Sequence, residues 1–110
     1  MELQKIESSD TLLTLAVFGD FNAQASKQAQ ICIDDVLSDD FHPQIEIDLE
    51  HVDFMDTSGI GAIVYLYKRL VESDRNMSIK NAHGQPLKMM ELLRIGQAIP
   101  VTTQDAALEH

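Results

Sequence analysis

The strongest constraint on this chain is a change of period near its middle. Ile45, Ile47 and Leu49 alternate with Glu46, Asp48 and Glu50, the period-two pattern of a strand with one buried face. A few residues later Ile60, Ile63, Val64, Tyr67, Leu70 and Val71 recur at helical spacing and form one apolar face. A half-buried strand that feeds an amphipathic helix needs a partner layer for each. In a chain of 110 residues that requirement points to one domain of α/β type.

The flanking segments continue the alternation of element types. Residues 2–7 suit an edge strand, Ser8-Ser9-Asp10 is a turn, and residues 11–18 are rich in strand formers, so the start reads as a hairpin. Gly19 breaks the strand, and Asn22 suits a helix N-cap. Ala25, Ala29, Cys32 and Val36, widened by Ile33 and Leu37, then mark an amphipathic helix ended by Ser38-Asp39-Asp40. After the central helix, Asp74-Arg75-Asn76 is a turn and residues 77–80 a short strand. Gly84-Gln85-Pro86 opens a third helix with Leu87, Met90 and Leu93 on its apolar side and Arg94-Ile95-Gly96 as its glycine stop. Residues 98–102 suit a last strand and 103–107 the start of a short helix. The order β-β-α-β-α-β-α-β implies an α/β fold: a mixed sheet of four or five strands with helices packed mainly on one face. The domain is expected to span residues 1–107, with Leu108-Glu109-His110 resembling the stub of an expression tag.

Charge narrows the partners. Lys and Arg total 8 against 18 Asp and Glu, a formal net charge of -10. Such a surface repels nucleic-acid phosphates and anionic membranes and suits a partner with a basic face. The single cysteine, Cys32, allows no intrachain disulfide and reads as a small buried hydrophobe. With no basic-then-apolar leader and no apolar run of membrane-spanning length, the expected location is the cytoplasm. His42, His51, His83 and His110 lack metal-ligand spacing, and His42 and His51 are expected at the surface near strand ends. Asp34-Asp35 and Asp39-Asp40 read as a solvated helix face and its end. Met89 and Met90 read as packing residues of the last helix, one or both against a hydrophobic partner surface. No catalytic triad is legible. The expectation is therefore a monomer with no enzymatic activity and no cofactor.

The informative stretch is Phe54-Met55-Asp56-Thr57-Ser58-Gly59-Ile60-Gly61, where strand gives way to helix. Asp56, Thr57 and Ser58 are capping types, and the glycines allow close packing. The same place offers two hydroxyls in a first turn whose N–H groups lack intrahelical partners and whose dipole favours an anion. A phosphate on Thr57 or Ser58 is thus expected to meet free donors. Gly59-x-Gly61 lacks the lysine and spacing of a P-loop.

This stretch resembles the signature of the STAS domain family, and within it the anti-sigma factor antagonists: hydrophobic-Met-Asp-Ser-(Ser/Thr)-Gly-(Leu/Ile)-Gly. Gly19-Asp20-Phe21-Asn22 is similar to the family's Gly-x-Leu-Asp before the first helix, with Asn22 in place of the aspartate. Leu92-Leu93-Arg94-Ile95-Gly96 is similar to the ending of its third helix. The resemblance implies a partner-switching cycle. The bare antagonist binds a serine kinase anti-sigma factor, is released when that kinase phosphorylates it with ATP, and is restored by a PP2C-type phosphatase. It places the phosphoacceptor at Thr57, with Ser58 as the neighbouring alternative, and the switch surface at Asn22, Asp56, Gly59, Ile60 and Gly61. STAS domains also serve as subunits of lipid-trafficking ABC transporters, which is the competing expectation.

Overall fold

The computed structural model describes residues 2–38 and 42–103. Among these the chain forms β1 (Glu2–Glu7), β2 (Leu12–Phe18), α1 (Ala23–Ser38), β3 (Gln44–His51), α2 (Thr57–Glu72), β4 (Asn76–Ala82), α3 (Gly84–Leu92), a single 3-10 turn (Ile95–Gln97) and β5 (Val101–Thr103). The strands make one sheet in sequential order, β1-β2-β3-β4-β5. The hairpin β1–β2 is antiparallel, and every later pair is parallel, so the sheet is mixed.

Register explains the one-sided core. Leu13 pairs with Ile45 and Ile45 with Met77, while Leu15 pairs with Ile47 and Ile47 with Ile79. These rows share a face because side chains alternate along each strand. They are buried against Ala25, Ala29, Ile33 and Val36 of α1 and Ile60, Ile63, Leu66 and Leu70 of α2. The opposite face is polar. Thr14 Oγ1 donates to Glu46 Oε1 at 3.1 Å, Lys80 Nζ lies 3.2 Å from the same carboxylate, and Asn81 Nδ2 donates to Asp48 Oδ1 at 3.0 Å. Parallel strands β2 and β3 both deliver the chain to helices at one sheet edge, which is where open α/β sheets gather functional loops.

Several local expectations change. On α2 the buried face includes Leu66, while Val71 is 49% exposed. Leu66 sits three residues after Ile63 and four before Leu70, on the inward line, whereas Val71 is turned about 100° from Leu70. α3 stops at Leu92 rather than at Gly96, because Arg94 itself takes the left-handed conformation (φ 57°) and its N–H bonds the Glu91 carbonyl. Leu93, past that stop, is therefore half-exposed, and Ile99 fills the core instead. Met90 is buried and Met89 half-buried against the same core. β5 starts at Val101 because the 3-10 turn uses up residues 95–97.

His42 is buried, not at the surface. Its carbonyl accepts from Arg75 Nε at 2.9 Å, and Arg75 Nη1 donates to the Val36 carbonyl at 3.1 Å. The buried Arg75 guanidinium thus ties the last turn of α1 to the approach of β3, supplying a donor to a carbonyl of the helix's last turn. Cys32 is half-buried; burial pushes its thiol pKa up, Lys5 opposes that and Asp35 adds to it. Asp39, Asp40, the expected helix after residue 103 and the tag-like end lie outside the described residues.

Candidate functional site

The starts of α1 and α2 are stitched together. Phe21 N–H donates to the Phe54 carbonyl at 2.9 Å and Asp56 N–H to the Phe21 carbonyl at 3.2 Å, so Phe21 and Met55 form an isolated parallel bridge. Both side chains are buried. This bridge converts a loop into two aligned helix entrances.

Each entrance carries its own cap. Asn22 Oδ1 accepts from Ala25 N–H at 3.0 Å, and the Asn22 carbonyl accepts from Ser26 N–H at 2.8 Å. The amide of Asn22 is therefore engaged in starting α1. Asp56 has extended backbone (φ −106°, ψ −175°), and its Oδ1 accepts from Ser58 N–H at 2.9 Å and Gly59 N–H at 3.2 Å. The expectation that first-turn donors stand free for a phosphate is corrected here: the Asp56 carboxylate already holds two of them. Asp56→Ala should lower stability by about 1 kcal/mol, the usual worth of such a cap. Urea unfolding with an unchanged midpoint would show that the cap contributes nothing.

The hydroxyls differ in access. Thr57 is exposed, whereas Ser58 is half-buried and lines an open groove between α1 and α2 with Ser26, Lys27, Gly61 and Tyr65. Gly59 and Ile60 are buried, so what they offer is packing beneath the surface. A Cβ on Gly59 would sit 2.5 Å from the Phe21 carbonyl oxygen and 2.9 Å from Met55 Cγ. Gly61 is the opposite case: a Cβ there meets nothing within 4 Å, which leaves room for another molecule's approach. Phe54, 43% exposed, adds an apolar rim beside the bridge. Asp56, Thr57 and Gly61 thus reach the same exposed helix start, with Asn22 at the adjoining one.

One residue of this site has no counterpart in the sequence reading. Gln85, in the first turn of α3, accepts from Met55 N–H through Oε1 at 2.8 Å and donates to the Met55 carbonyl through Nε2 at 2.8 Å. Its carboxamide takes the place of a neighbouring strand on the side of Met55 away from Phe21. Gly84 (φ 57°) and Pro86 set the turn that aims it. A glutamine between Gly and Pro at a helix start was the available signal, but nothing local says which backbone it meets.

Among the described residues no three His, Cys, Asp or Glu side chains converge as a metal site, and no helix is long and apolar enough to cross a membrane. The STAS domain family model matches residues 3–106. The chain belongs to the STAS domain family. Comparison with curated proteins finds no match. Solved structures with this fold include the anti-sigma factor antagonist SpoIIAA of Bacillus in its unphosphorylated form, at 19% identity and TM-score 0.72 over 98% of this chain and 96% of that one. A putative anti-sigma factor antagonist from Thermotoga maritima is similar at 16% identity and TM-score 0.83, over 97% and 92% of the two chains. An anti-sigma factor antagonist from Mycobacterium paratuberculosis is similar at 20% identity and TM-score 0.80, over 98% and 92%. At these identities the likeness is one of fold, and this STAS domain shares their mixed sheet with its helices.

Proposed function

We propose that this STAS domain is an anti-sigma factor antagonist that works by partner switching. The bare chain docks on a serine kinase anti-sigma factor through the α2 entrance. The kinase transfers the γ-phosphoryl of ATP to the Thr57 oxygen, the hydroxyl proton passing to the kinase's base and ADP leaving, and the phosphorylated chain departs. A PP2C-type phosphatase hydrolyses the ester and returns the bare form. The observation that carries this reading is the exposure of Thr57 on a first turn whose backbone is held by the Asp56 cap and seated on Phe21 through Gly59. A kinase supplies the base and the metal ions in such a transfer, so its protein substrate needs only an accessible, well-placed hydroxyl. Asp56, occupied by two N–H donors, serves the backbone rather than the proton. The partial burial of Ser58 favours Thr57 as acceptor. SpoIIAA, similar in fold, is known in a phosphorylated form as well as a bare one.

The test is phosphosite mapping by mass spectrometry after incubation with ATP and lysate of the cells the chain comes from. Thr57→Ala should abolish the phosphate, and Ser58→Ala should retain it. Phosphate mapped to Ser58 would reassign the acceptor; phosphate on neither residue would sink the reading.

A further inference from the structure

We propose that Gln85 is a positioning residue for Thr57: its carboxamide holds the switch segment in the form the kinase recognises. This rests on the partner-switching reading above. Residues 54–56 have two backbone edges. One edge is bonded to Phe21, by Phe21 N–H to the Phe54 carbonyl and Asp56 N–H to the Phe21 carbonyl. The other edge, at Met55, is bonded among the described residues through a side chain, with both the N–H and the carbonyl of Met55 at 2.8 Å from Gln85. Met55 is fully buried, so losing this side chain leaves two backbone groups without water or partner. Thr57 follows two residues later and inherits its position from this segment.

The clamp also joins separate parts of the chain. Gln85 lies 30 residues from Met55 in sequence, at the entrance of α3, while Phe21 precedes α1. Met55 is where the approaches to α1, α2 and α3 meet, and only a group with a donor and an acceptor side by side bonds both its polar atoms. Glutamate at neutral pH accepts from the N–H and repels the carbonyl. Methionine of similar size does neither. Without the clamp the segment samples other conformations, and a kinase that binds the ordered one sees its affinity reduced by the fraction that remains ordered.

The experiment compares wild type, Gln85→Met and Gln85→Glu. Amide exchange protection by NMR at neutral pH should fall at least tenfold at Met55 and Asp56 in Gln85→Met and at Asp56 in Gln85→Glu, which keeps an acceptor for the Met55 N–H, while protection in the β2–β3 core is kept. With the kinase that modifies the wild-type chain, KM for the antagonist should rise about tenfold with kcat unchanged, the signature of lost binding-competent population. A residue that merely adds stability would shift the urea midpoint and leave KM and kcat alone. Unchanged protection at Asp56, or lost protection with unchanged KM, overturns the role of Gln85 while phosphorylation of wild type still stands. Phosphate on Ser58 alone overturns this role for Thr57 while the switching reading stands; phosphate on neither residue makes the function proposed above fail and this role with it. Should Gln85→Met not fold, Gln85→Glu tests the same role through Asp56 protection and KM.

Discussion

Gly59→Ala is expected to destabilise the domain by about 3 kcal/mol, the upper range for forcing an extra methyl into a filled site. That corresponds to a fall in Tm on the order of 15 °C for a domain of this size. The added carbon would stand 2.5 Å from a backbone carbonyl oxygen, that of Phe21, and 2.9 Å from the buried Met55 side chain. The Phe21 carbonyl cannot simply swing away, because it accepts the Asp56 N–H. Relief therefore requires breaking the bridge between the two helix entrances. Gly61→Ala is the control on the same helix. Its Cβ meets nothing, and alanine is favoured over glycine inside a helix by roughly 0.5–1 kcal/mol, so that variant should melt slightly higher. Calorimetric melting of the two variants decides the matter. Equal melting temperatures would mean that α2 does not press against Phe21 as described.

Phosphorylation of Thr57 should weaken docking on the kinase by more than a hundredfold, equivalent to about 3 kcal/mol. The ester adds roughly −1.5 to −2 charges at neutral pH. In an antagonist with an uncommitted first turn, the helix could fold those charges onto its own N–H donors. Here Asp56 already accepts from Ser58 and Gly59, and its carboxylate stands directly before the acceptor. The new anion therefore remains outward, where a partner must desolvate it without a matched cation. Titration calorimetry of bare and phosphorylated chain against the kinase measures the difference. Affinities within threefold of one another would rule out charge at the helix mouth as the release step. The loss comes from desolvating the ester at the contact rather than from long-range charge, so the effect should persist at raised ionic strength.

Much of this arrangement is legible in local sequence. Period two in residues 45–49 and helical spacing in residues 60–70 require a sheet face and a helix face, whatever the neighbours are. Asn22 and Asp56 announce helix entrances because their side chains reach backbone N–H groups only two or three residues ahead. The hydroxyl pair, the two glycines and the order of the elements follow from the same short-range rules. Burial at α2 was less legible: Leu66 and Tyr67 are adjacent apolar residues, and periodicity alone does not choose between them.

What only the tertiary structure decided involves groups far apart along the chain. His42 and Arg75 look like surface residues until Arg75 is seen bonding carbonyls 33 and 39 residues away, which makes a buried guanidinium affordable in a turn. Gly59 is needed because of Phe21, and Gly61 has room because, among the described residues, a Cβ there meets nothing within 4 Å. Gln85 finds Met55 only after β4 has carried the chain back beside β3. The amino-acid sequence of this STAS domain thus determined its elements and the position of its hydroxyls, since propensity, capping and periodicity act within a turn or two. Folding decided which backbone each side chain would meet and how firmly Thr57 is held, since those contacts exist only once distant segments share one sheet edge.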